Sequence, residues 1–513
     1  MQRFLAQHSD KIVGVLHGFD RVLFRGSLLS ISYTGGMELF LAKRRILYRD
    51  YKGFVQRISD RLKDRAKAMA QEQNRPYVYL DSPSVSKEDI ARRIMERDGV
   101  RNGLICVLSC VEPCQTFGLK RSGERNLLHL VPAKRKCQFL YFYYMDREFG
   151  LMHIRLQTWL PMTIQVCING REYLARRLDR AGIGYEKRDN CFVRIDDVAK
   201  AQRMMNALLE RNWPSFLHML ARRVNPWMGS ENPLDLRGYY WTFRQSEYAT
   251  DVMFRDEKSL QQVYPALIDH AIRHFHSRDV LRFLGRRTNC RFSGEVTSDT
   301  KSRPEGARIK HRVEENSIKM YDKQGRLLRI ETTINNPTRF KVRRPVTRNG
   351  QLIRRWVPMR KSVADIARRV ELCRAANERY LEALGVVGAP SPTRHLLDPL
   401  SQPITRRGRR YRGLRPLHPA EAKLFSVLLC GEFLLQGFRN KDIRRKLFPP
   451  AENDPTCRQQ ASGRITRSFR LLRAHGLIRK VSGTFYYRVT AKGNHVMTTA
   501  LKLRELDLAA LAA

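Results

Sequence analysis

Three acidic side chains stand where a divalent cation could be held. Asp20 follows an apolar run at residues 12–16 and precedes a second one at 22–31. Asp146 ends the strongly apolar run 138–145, and Glu112 lies just beyond another at 103–111. Hard cations such as Mg²⁺ take oxygen ligands, and carboxylates at the ends of rigid strands supply them. Asp20 and Asp146 are the expected metal ligands, with Glu112 a third catalytic acid. Glu172 and Asp179 are the acids that an adjoining helix could add. The competing expectation is that such acids are caps and turn residues, and a long stretch of chain separates Asp20 from Asp146.

A second constellation lies farther along. Ile318-Lys319-Met320-Tyr321-Asp322-Lys323 is followed by a turn and then by Leu328-Arg329-Ile330-Glu331-Thr332. Strand alternation puts Lys319 and Tyr321 on one face, and Arg329 and Glu331 on one face of the next strand. A polar sheet face of this kind could hold a phosphodiester and a metal, with Tyr321 as nucleophile and Glu331 beside it. Cross-strand Lys–Glu and Arg–Glu pairs of purely structural value explain the same residues.

Other chemistry is less well supported. His270 and His274 lie four apart with His276 beyond, but no Glu or Cys accompanies them, so phosphate-facing or solvated histidines are expected. Cys106, Cys110 and Cys114 lack zinc-site spacing. No GxxxxGK[ST] loop is present, which argues against ATP-driven work. The run Tyr239-Tyr240-Trp241 with Phe243 could stack unpaired bases, though core packing is the better expectation.

The elements that must position these residues can be read coarsely. Strands are expected at 12–16, 22–31, 77–80 and 103–111, and a hairpin at 138–145 and 151–159. Helices are expected at 51–73, where Phe54, Ile58, Leu62 and Ala66 repeat at four, and at 87–98 and 171–181. Strands interleaved with helices make residues 1–225 a mixed α/β domain, in the style of the RNase H sheet that holds two metals. Residues 226–389 read as a basic α+β domain with consecutive antiparallel strands at 307–313, 317–322 and 327–334, closed by a helix at 362–384. A Pro/Arg-rich linker is expected at 390–417, and a further domain at 418–513.

Charge narrows the partners. The 513 residues hold 96 Lys and Arg against 50 Asp and Glu, a formal charge of +46. Self-repulsion at that charge opposes compactness, so a polyanion is expected to neutralise it. No apolar run approaches the ~18 residues that cross a bilayer, and the first residues lack a signal peptide's apolar stretch. A cytoplasmic, nucleoid-associated protein with no membrane partner is expected, its ten cysteines reduced. The basic residues spread along the chain, which suits a long backbone track on DNA or a structured RNA.

The last segment resembles a winged helix. A helix at 420–436, a short one at 441–448 capped by Asn440, and a third at 462–475 precede two strands at 478–481 and 486–489. Val489-Thr490-Ala491-Lys492-Gly493 starts a last helix. The resemblance implies that Arg464, Arg467, Ser468 and Arg470 of the third helix face the major groove, with Arg488 and Lys492 flanking the wing. Upstream, Arg406, Arg407, Arg409 and Arg410 are expected along phosphates, as are Lys310, Lys319 and Arg329 of the middle domain. The Tyr-Asp-Lys turn and Arg-x-Glu strand are similar to those of rolling-circle replication initiators. Gly18-Phe19-Asp20-Arg21-Val22 and Ile168-Asn169-Gly170-Arg171-Glu172 look like phrases from bacterial mobile-element proteins. These resemblances imply a protein that targets or processes DNA, with Mg²⁺ if it is catalytic. A non-enzymatic regulator or ribonucleoprotein component fits the same residues without chemistry.

Overall fold

The computed structural model describes all residues except 122–126, 230–231, 287–293, 305, 349, 388–392, 407, 453 and 507–513. The chain forms two compact units, each built from separated stretches. One comprises Leu16–Ala249 and Thr333–Glu371; the other, which holds the chain ends, comprises Met1–Val15, Thr250–Thr332 and Leu372–Ala513. Among the described residues no helix is long and apolar enough to cross a membrane.

The Leu16–Ala249 unit is a mixed α/β structure. Its strands are β1 (Ile12–Ser27), β2 (Tyr77–Leu80), β3 (Gly103–Arg121), β4 (Leu128–Asp146), β5 (Gly150–Gln157) and β6 (Ile164–Asn169). A separate hairpin pairs β7 (Tyr185–Arg188) with β8 (Cys191–Ile195), and β9 (Tyr240–Phe254) follows. The sheet order is β9-β1-β6-β5-β4-β3-β2. β2 joins β3 in parallel, while β3, β4, β5, β6 and β1 pair antiparallel in turn. Helix Lys87–Arg97 starts where the Ser86 hydroxyl accepts from the Asp89 N–H, and it drops Ala91 and Ile94 onto Ile105, Leu108 and Phe139.

Two expected breaks are absent. β1 is one strand through residues expected as a turn, so Asp20 is buried in mid-strand and does not stand at a strand end. Gly18 invited the break, yet the strand runs straight through it, with the Met205 side chain lying against it. β3 likewise continues past residue 111, placing Glu112 inside it. Pro113 is tolerated because β2 pairs only with Val107–Cys110 positions, which leaves that part of β3 an edge on that side.

In the other unit β10 (Val296–Lys301), β11 (Arg308–Val313), β12 (Asn316–Lys323) and β13 (Leu327–Thr333) lie side by side in sequence order. Gln324 and Gly325 both take positive φ in the tight turn between the last two. Ile318, Met320, Leu328 and Ile330 form a core with Leu267, Phe283 and Tyr380 from helices. Back in the first unit, β14 (Lys341–Arg348) and β15 (Gln351–Pro358) make a two-stranded ribbon.

The described residues of the expected linker form regular elements. Helix Thr393–Ser401 and a hairpin of β16 (Ile404–Arg406) and β17 (Arg409–Tyr411) occupy them, held because Leu400 and Leu414 are buried in the core of the C-terminal region. Helices Pro419–Leu428, Gly431–Gln436, Asn440–Leu447 and Pro455–Ala474 follow, then β18 (Ile478–Lys480), β19 (Tyr487–Val489) and helix Ala491–Glu505. The single helix expected at 420–436 is two. The third helix begins at Pro455, earlier than expected, because Asp454 caps it by accepting from the Thr456 and Cys457 N–H groups.

Candidate nucleic-acid interface and acidic site

Helix Pro455–Ala474 is fixed on one side by Ala461, Ile465, Phe469 and Leu472, all buried. At about 3.6 residues per turn, Arg464, Arg467, Arg470 and Arg473 then sweep round the opposite, solvent-facing half. All four are exposed, and the helix contains no acid. Ser468 is half-buried and returns its hydroxyl to the Arg464 carbonyl at 3.2 Å, so it is partly engaged. Asn440 does not cap the preceding helix. Its amide donates to the Ser462 carbonyl and the Thr466 hydroxyl, both at 2.9 Å, and so sets the angle of the arginine helix.

Two open clefts flank that helix. One, of 580 Å³, is lined by Arg406, Arg409, Arg470, Arg473, Arg479 and Lys480. The other, of 810 Å³, has Arg444, Arg458, Arg467 and Arg470 on its walls. Arg406 spends part of its donor capacity on the Arg473 carbonyl at 2.6 Å. Arg410 and Lys492 are exposed, and Arg488 is exposed directly opposite Arg479 across the β18–β19 pair. Like charges so placed repel, and an anion between them would relieve that. Between these strands Phe485 is 82% exposed at the loop. Arg407 lies outside the described residues.

The expected metal trio does not converge. Three strand spacings, about 14 Å, separate Asp20 on β1 from Asp146 on β4, and Glu112 on β3 is one spacing farther. Asp146 caps its turn, accepting from the Glu148 and Phe149 N–H groups at 2.8 and 2.9 Å. Glu112 sits in a half-buried network: Arg155 at 2.5 Å, the Tyr141 hydroxyl at 2.6 Å and the Cys110 thiol at 3.0 Å all donate to it. Burial alone would raise its carboxyl, but these hydrogen bonds and the Arg155 charge outweigh that and hold it at about 2. It is an anchor for Arg155.

Asp20 has a different acidic neighbour. Glu247, on β9 next to β1, brings a carboxylate oxygen within 4.8 Å of one from Asp20. The Asn190 amide donates to Asp20 and is itself held by Asn169 at 2.7 Å. Asp20 is 6% exposed and Glu247 half-buried. The two carboxylates offer oxygen donors of the kind a hard cation takes, while Asn190 turns its N–H group, not its oxygen, toward Asp20. Glu247 was missed because Arg244 and Gln245 interrupt its strand pattern; the usable signal was an acid inside a long aromatic and β-branched stretch.

The second constellation is partly as expected. Lys319 donates to Glu331 at 2.6 Å and the Tyr321 hydroxyl donates to it at 2.9 Å, with Glu331 2% exposed. Arg329 lies on the same face of β13 as Glu331, two residues away, but is closed off from solvent. It is fully buried in a two-pronged pair with Asp251, which removes it from any nucleic-acid contact. Lys310 is half-buried opposite Lys319, and burial together with its cationic neighbours lowers its pKa.

The remaining candidates are structural. His270 is buried against His274 and Phe275, and burial lowers its pKa to about 3. Cys106, Cys110 and Cys114 are buried free thiols. Tyr239, Trp241 and Phe243 are core residues. No protein-family model, no curated protein and no solved structure matches this chain.

Proposed function

We propose that the chain is a nucleic-acid-binding protein that anchors on duplex DNA through helix Pro455–Ala474, in the manner of a winged helix. One observation carries this reading: the solvent half of that helix presents only arginine as charge, between two arginine-lined clefts. Helices Pro419–Leu428 and Asn440–Leu447 stand as the first and second helices of the motif, and the β18–β19 hairpin as its wing. The arginines bind phosphates or take guanine edges in the major groove. The net charge of +46 supports a polyanionic partner on its own account. Binding of a fluorescent duplex across a salt series tests the reading. Affinity that falls steeply with salt is expected; a salt-independent, micromolar or weaker association contradicts it.

A second reading adds chemistry to the binding. The Asp20–Glu247 pair holds a divalent cation such as Mg²⁺, which would polarise a phosphodiester for cleavage or transfer. In it Asn190 keeps Asp20 oriented, and the protein processes the DNA that the C-terminal region anchors, as a mobile-element protein would. Mg²⁺-dependent nicking of a supercoiled plasmid, lost in Asp20→Asn, is the expected outcome. Nicking that persists in that variant contradicts this reading and leaves the first one standing.

A further inference from the structure

The β14–β15 ribbon is built against the usual rules for a free hairpin. Two strands alone are marginal in water, and while Val342, Arg344 and Val346 on one face of this ribbon are half-buried, the face that carries Trp356 is exposed. Residues 341–358 nevertheless carry six Lys and Arg and no acid at all. Arg344 lies directly opposite Arg355, a repulsive cross-strand pair. Leu352 is 74% exposed and Trp356 54%. Nothing in an unliganded fold rewards this combination of bare apolar surface and unrelieved positive charge.

The register says what would. Trp356 stands opposite Arg343, and Arg354, two residues along, stands on the same face opposite Pro345. Thr347 and Leu352 continue that face toward the tip. The ribbon's base is tied down: Arg368 donates to the Lys341 carbonyl at 3.0 Å, and its guanidinium lies 5.4 Å from the Trp356 ring. One face therefore offers an aromatic plane steadied by a cation, with arginines beside it at about the spacing of neighbouring residues.

We propose that this face of the β14–β15 ribbon binds single-stranded nucleic acid, stacking a base on Trp356 while Arg343 and Arg354 take the adjacent phosphates. Unpaired bases have free π-faces to stack; in a duplex those faces are already covered. The arginines follow the backbone whatever the sequence, so binding is sequence-tolerant. The surface is separate from the arginine helix of the proposed duplex anchor and goes beyond that reading.

The test uses the full chain, a labelled 20-nucleotide oligothymidylate and a labelled hairpin duplex, with Trp356→Ala, Trp356→Phe, R343A/R354A and R467A/R470A. Trp356→Ala is expected to weaken oligothymidylate binding at least about fivefold, the lower end for one lost stack, and to leave the duplex within about twofold. Trp356→Phe keeps most of the affinity. R343A/R354A lowers the salt slope for the single strand by about 1.4, near 0.7 for each lost phosphate contact. R467A/R470A weakens the duplex instead. Unchanged single-strand binding in Trp356→Ala overturns the proposal, and so does an equal loss on both ligands. A duplex loss confined to R467A/R470A upholds the duplex anchor in either case.

Discussion

Arg329 and Asp251 face each other inside the protein, Nε and Nη2 donating to the two carboxylate oxygens at 2.5 and 2.8 Å, with neither side chain more than 1% exposed. Such a pair offsets its own desolvation only while both partners are present. Asp251→Asn is expected to destabilise the protein by about 3–5 kcal/mol, because the buried guanidinium loses the charge of this two-pronged partner. The double variant R329M/D251L restores much of that loss. Urea unfolding midpoints of the three proteins check it; a single variant as stable as the wild type would show that the pair does not hold this region.

Acid sensitivity follows from two buried histidines. Burial lowers His270 to about 3 and His311 to about 4, from an ordinary 6.5. The folded values lie below the unfolded one, so their contribution is complete above pH 6.5 and shrinks as pH falls toward those values. Each costs about 1.4 kcal/mol per pH unit inside its window. Unfolding midpoints measured from pH 7 to pH 5 are expected to drop, and to drop less in H270L/H311Q. Parallel curves for the two proteins would contradict the assignment.

Cation binding separates the acids. Terbium luminescence or calorimetry with Mg²⁺ is expected to report a site in the wild-type protein that Asp20→Asn or Glu247→Gln weakens by tenfold or more. Glu112→Gln leaves that site intact. It instead removes a carboxyl held at about 2, whose contribution is present above the ordinary 4.5 and lost as pH falls from there. Loss of cation binding in Glu112→Gln would overturn this division of roles.

Periodicity made much of the fold legible. The helix over Tyr51–Glu72 was readable because Phe54, Ile58, Leu62 and Ala66 recur at helical spacing, and all are buried. Strands β11, β12 and β13 were readable from alternation and from their polar turns. What failed were the places where a turn-forming residue lies inside a long strand. Gly18 and Pro113 look like breaks but lie inside β1 and β3, and each misplaced an acid, Asp20 and Glu112. Strand order decided the rest: which acids meet depends on β9 lying beside β1, a pairing of residues far apart in sequence that no local pattern encodes.

The central claim is that Arg464, Arg467 and Arg470 hold duplex DNA. We would measure fluorescence anisotropy of a labelled duplex with the wild type, with R464A/R467A/R470A, and with R92A/R93A/R97A, which removes the same charge from the exposed face of another helix. The account expects the first triple variant to lose at least about tenfold in affinity at moderate salt. Its salt slope should fall by about 2.7, near 0.9 for each phosphate contact, while the control stays close to wild type. Equal, small losses in both triple variants would mean that duplex binding follows net charge alone, and the helix would not be the anchor.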